Sequence, residues 1–125
     1  QRSILKAEAP AEKAPAAYLT WRDKRRVEAK METFAEGLAT RAPFDLPQTI
    51  LQRDLDDFVL VSEAELRQAV RWMLQHTHNL AEGAGGAALA GAVKLKERLA
   101  GKKVVLVQSG GNLSLERLKE ILDGA

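Results

Sequence analysis

The stretch KKVVLVQSGGNLSLERL, residues 102–118, bears most directly on the fold. Val104-Val105-Leu106-Val107 is an almost wholly apolar run of the type buried on both faces in a parallel sheet. Ser109-Gly110-Gly111-Asn112 then turns the chain into a helix expected from about Ser114 to Leu122. Glycines at the carboxyl end of a buried parallel strand let backbone approach a ligand closely, and the following helix start offers free amides to an acceptor. On these grounds the turn could hold a phosphate, a nucleotide or a cofactor ring, or be a tight strand-to-helix connection with a serine beside it.

Working back toward the amino terminus, AEGAGGAALAGAV (residues 81–93) opens a helix expected over Ala87 to Leu99 and stopped by Gly101. Its basic end, Lys94, Lys96 and Arg98, suits the negative pole of the helix dipole. The small residues at its start permit either close packing or an anion at the helix end. Glu82, before the glycines, could pair with a polar ligand or cap the helix. Earlier still, Ser62 and Glu65 have capping-box spacing. Leu66, Ala69, Val70, Met73 and Leu74 recur at three- and four-residue intervals, which predicts an amphipathic helix to about His76.

Phe58-Val59-Leu60-Val61 reads as a buried strand, Gln48 to Arg53 as a short helix, and Ala16 to Arg22 as another. Gly37, among good helix formers in Met31 to Thr40, marks a turn or a close backbone approach. Residues 1–13 read as an extended or linker-like segment, because Pro10 and Pro15 remove amide donors and disfavour helix before them. The order helix, strand, helix, helix, strand, helix defines an α/β chain over residues 14–125. Two strands alone would leave bare edges, so these residues are expected to be part of a larger sheet.

Composition narrows the partners. The chain has 125 residues, a formal net charge of +2 and no cysteine, which excludes a disulfide framework, a cysteine-based zinc site and a thiol nucleophile. Acids and bases are mixed along it, with no basic stripe and interleaved aromatics, so nucleic acid is not an expected partner. No run approaches the roughly 18–20 apolar residues of a membrane span, and the first thirteen residues hold no signal-peptide core. No membrane partner and a cytoplasmic location are therefore the expectations. His76 and His78 end a helix and lack the companion ligands of a metal site.

Three segments, in order, carry a resemblance: Thr33-Phe34-Ala35-Glu36-Gly37-Leu38-Ala39, Glu82-Gly83-Ala84-Gly85-Gly86 and Ser109-Gly110-Gly111-Asn112, with Asp57 to Leu66 between the first two. Together they resemble the fold-type II pyridoxal-phosphate-dependent enzymes, in particular the threonine/serine dehydratases and serine racemases. The resemblance implies the carboxy-terminal part of a large, three-layer, parallel-sheet α/β domain, like that of the tryptophan synthase β chain. It implies pyridoxal 5'-phosphate as cofactor, with Ser109 bonding the pyridine nitrogen. Gly37 and Glu82 would line the pocket, Gly110 and Gly111 would let backbone pass close to the ring, and Asn112 would stand beside it.

The implied reaction is β-elimination from a hydroxy amino acid, releasing water, a 2-oxo acid and ammonia. The family's Schiff-base lysine and glycine-rich phosphate loop lie in an amino-terminal part with no counterpart in these 125 residues. No catalytic residue and no metal ligand is therefore expected here, and the isolated chain is expected to be inactive. The implied partners are an amino-acid substrate, the amino-terminal half of the same protein, and further copies in a homo-oligomer. A noncatalytic α/β binding module and a serine racemase-like enzyme are the alternative readings. Glu82-Gly83 replaces the family's frequent Glu-Pro, and Glu12 to Tyr18 offers no clear match to the racemases' metal-binding acids.

Overall fold

The computed structural model describes residues 5–8, 14–30 and 32–124. Its sheet is a parallel pair, β1 (Leu5–Glu8) beside β2 (Asp57–Leu60), with Leu5 opposite Asp57 and Glu8 opposite Leu60. Parallel neighbours need a crossover connection. Here it runs through α1 (Ala16–Asp23), a 3-10 turn (Glu36–Leu38) and α2 (Asp45–Asp54). Part of the segment read as linker-like is thus paired strand; the prolines follow Leu5–Glu8 in sequence and remove none of its amides. Residues 1–4 and 9–13 lie outside the described residues.

Phe58 of β2 is buried, with the Tyr18 ring edge-on to it at 5.3 Å and Trp21 at 5.7 Å. The contacts seat α1 over the strand. Gln48 and Gln52 of α2 donate to the carbonyls of Ala17 and Trp21 at 2.8 and 3.2 Å, tying α2 to α1. Helix α2 begins at Asp45, three residues before the expected start. Pro47 is tolerated because amides in the first turn have no intrahelical acceptor.

Helix α3 (Glu63–Trp72) opens on the expected capping box. The Glu65 amide donates to Ser62 Oγ at 3.2 Å, and the Ser62 amide donates to Glu65 Oε2 at 2.6 Å. Beyond Trp72 the helix widens into a π turn, Met73–Thr77, and ends at His78 in the left-handed region. Helix α4 (Gly83–Lys94) lies against both α3 and β1, and a bend at Leu95 separates it from α5 (Lys96–Leu99). The core joins Ala35, Val61, Leu66, Ala69, Ala87 and Ala90. Each large side chain buried here, Leu66 and Val61 among them, contributes about 1.5–3 kcal/mol.

Helix α6 (Leu115–Asp123) is capped by Ser114, buries Ile121, and accepts a bond from Arg71 of α3 at the Ile121 carbonyl. The expected strand Val104–Val107 is the main departure. It joins neither β1 nor β2, and all four side chains are exposed, Val105 by 88%. An apolar run becomes strand only where a neighbour supplies hydrogen bonds, and among the described residues none does.

Candidate cofactor site

Three segments far apart in sequence meet at the amino end of α4. Gly37 sits in the 3-10 turn, where an added Cβ would lie 3.0 Å from Ala84 Cβ and 3.9 Å from Glu82 Oε1. Glu82 occupies the N-cap position of α4, but its side chain does not cap the helix. The carboxylate reaches instead to the turn after Val107, where Oε2 accepts from the Asn112 amide at 3.2 Å. The Glu82 amide donates to the Gly110 carbonyl, also at 3.2 Å. Ser109 stands exposed at the head of that turn.

The glycines have protein neighbours that account for them. A Cβ on Gly110 would meet Glu82 Oε1 at 2.6 Å, and one on Gly111 would meet the Leu80 carbonyl oxygen at 2.6 Å. A Cβ on Gly85 would collide with the Gly110 carbonyl oxygen, and one on Gly83 would sit 2.7 Å from the Phe34 ring. Close packing therefore explains the small residues opening α4.

All six residues singled out from the sequence, Gly37, Glu82, Ser109, Gly110, Gly111 and Asn112, belong to this one cluster. Two contributors were not on that list. Gly85 provides the clearance for the 109–112 turn, and Leu80 accepts from the Gln108 side chain at 3.0 Å through its carbonyl. Gly85 was signalled by its place in the glycine cluster. Leu80 acts through backbone and carries no side-chain signal. Among the described residues, clefts also lie elsewhere, one of about 640 Å³ along α1 and α2 near Lys24 and Gln48, another of about 440 Å³ near Thr33 and Arg41. Of the cations lining the first, Arg25 pairs with Asp23, Arg26 with Asp45 and Arg53 with Asp54, and Lys24 lies over the Trp21 ring.

Residues 7–110 match the family described as pyridoxal-phosphate dependent enzyme, and the chain belongs to that family. Over 98 residues it is 38% identical to the L-threonine ammonia-lyase of Thermotoga maritima, a match covering 78% of this chain and 24% of that protein. It is 36% identical over 91 residues to the catabolic L-threonine dehydratase of Escherichia coli K12, covering 71% and 28%. The processed threonine deaminase isoform 2 of Solanum lycopersicum superposes with a TM-score of 0.87 at 25% identity, over 98% of this chain and 36% of the other. The chain thus spans about a quarter of the curated relatives it matches. Its α/β architecture is part of the fold-type II domain, the family's cofactor is pyridoxal phosphate, and none of the described helices is long and apolar enough to cross a membrane.

Proposed function

We propose that this chain is the carboxy-terminal part of a pyridoxal-phosphate-dependent ammonia-lyase that deaminates a hydroxy amino acid, threonine or serine. The observation that carries the reading is the convergence of Gly37, Glu82 and the Ser109–Asn112 turn at the start of α4. The threonine-deaminating relatives support the substrate class.

The residues fit the ring side of that cofactor. Ser109 offers an exposed neutral hydroxyl that both donates and accepts, which suits an aromatic ring nitrogen carrying no proton. Glu82, the carboxylate of the cluster, is held toward Asn112. When bound, the cofactor supplies the electron sink for loss of the α-proton and the β-hydroxyl. The chain's own task would be to orient the ring: Ser109 would meet its nitrogen, Gly37 and Asn112 would line the pocket wall, and Glu82 would stand behind the turn. The lysine and the phosphate-binding loop are supplied by the amino-terminal part of the complete protein.

The test is release of ammonia and a 2-oxo acid from L-threonine and L-serine by the complete protein, with and without added cofactor. Cofactor-dependent release supports the reading, and its absence with both amino acids contradicts it. A second reading, racemisation of serine, is favoured by the likeness to the Dictyostelium discoideum serine racemase, TM-score 0.79 at 25% identity. Formation of D-serine without ammonia would favour it over elimination.

A further inference from the structure

We infer that Glu82 is a positioning residue for Ser109, acting as a clasp on the 109–112 turn rather than through contact with a ligand. The inference rests on Ser109 being the cofactor's ring-nitrogen partner. Among the described residues Val104–Val107, which lead into the turn, are exposed and belong to no strand, and before Ser109 the chain is tied by the Gln108 side chain to the Leu80 carbonyl. Gly110 and Asn112, one and three residues after Ser109, are both fixed to Glu82, the first by the Glu82 amide and the second by its carboxylate, each at 3.2 Å.

The geometry at Gly110 reinforces this. Any side chain there would occupy the carboxylate's place, since an added Cβ falls 2.6 Å from Oε1 and 2.9 Å from Cδ. Glu82 also leaves the amides of its own helix uncapped while bonding an amide thirty residues away. A carboxylate accepting from a backbone amide makes a bond about twice as strong as a neutral pair. Without it the turn keeps only the Gly110 backbone bond to Glu82, and the backbone that carries Ser109 is held less firmly. A binding group has to be held within about 0.5 Å of its working position.

The experiment compares E82A, E82Q and S109A, with the double variant E82A/S109A, in the complete protein. Cofactor affinity and the emission of bound cofactor are read, together with hydrogen exchange at the Asn112 amide in cofactor-free protein. E82A should weaken cofactor binding about tenfold and speed Asn112 exchange. E82Q, whose carbonyl oxygen still accepts from Asn112, should stay within about threefold. Added to S109A, E82A should cost little more, because the two act through one contact. Should E82A fail to fold, E82D takes its place: it keeps the charge but falls a methylene short of Asn112, and should behave as E82A was expected to. Equal damage from Gln and Ala, full additivity with S109A, or unchanged exchange at Asn112 would each overturn the clasp. An S109A protein with unaltered cofactor binding would instead sink the cofactor reading itself, and the inference with it.

Discussion

The runs Phe58–Val61 and Val104–Val107 are four apolar residues each, and they meet opposite surroundings. The first lies on or beside a strand paired with Leu5–Glu8, with Val61 fully buried and Phe58 under the rings of Tyr18 and Trp21. The second has no strand partner among the described residues, and its four side chains face solvent. Apolar character makes burial favourable, but a neighbour has to supply the hydrogen bonds and the covering surface. The well-packed region is the scaffold made by β2, α3 and α4. The open region carries the serine turn, and its proposed cover is the rest of the complete protein's sheet.

Several substitutions would break or sharpen this contrast. The largest loss is expected in the scaffold, where Leu66→Ala removes a fully buried side chain and should cost about 2–5 kcal/mol in denaturant unfolding. Next comes Gly85→Ala, where the new methyl would collide with the Gly110 carbonyl and push the turn off α4. A loss of about 1–3 kcal/mol is expected, with faster amide exchange over residues 109–113. Ser62→Ala removes one half of the capping box and should cost about 1 kcal/mol.

Acid should act at the same cap. Burial pushes the Glu65 carboxyl up, but bonds from the Ser62 amide and the Lys94 ammonium outweigh it and leave Glu65 below the usual carboxylate range. A carboxyl lowered on folding adds stability above its unfolded value, and that stability is lost as pH falls through the folded one. Glu65→Gln should therefore flatten the acid limb of the stability profile, its loss appearing at neutral pH and fading in acid, where the native carboxyl is itself protonated. The smallest effect is expected at Val105. In the 125-residue chain Val105→Ala should shift unfolding by less than about 0.5 kcal/mol, because the side chain is exposed. A much larger loss from the same change in the complete protein would identify this segment as a strand of the larger sheet.

What the sequence revealed follows the range of the forces involved. Ser62 and Glu65 announced the start of α3, and the apolar stripe from Leu66 to Val70 announced its buried face, because both depend on neighbours within a turn or two. The π turn at Met73–Thr77 was invisible, since the apolar spacing of Met73 and Leu74 fits an ordinary helix equally well. The pairing of Leu5–Glu8 was hidden by nearby prolines, and the fate of Val104–Val107 depended on a partner that lies outside the run. At the candidate site, the glycines and Ser109 marked segments that the fold brings together. The reason for Gly110 and Gly111 did not show, because Glu82 and Leu80 approach them from thirty residues away.

The central claim is that the cluster around Ser109 binds the pyridine ring of pyridoxal phosphate. Its most direct test is the cofactor affinity and threonine turnover of the complete protein with and without Ser109→Ala. At least about tenfold weaker binding, with turnover falling alongside, is the predicted result. Binding and turnover equal to those of the unaltered protein would contradict it.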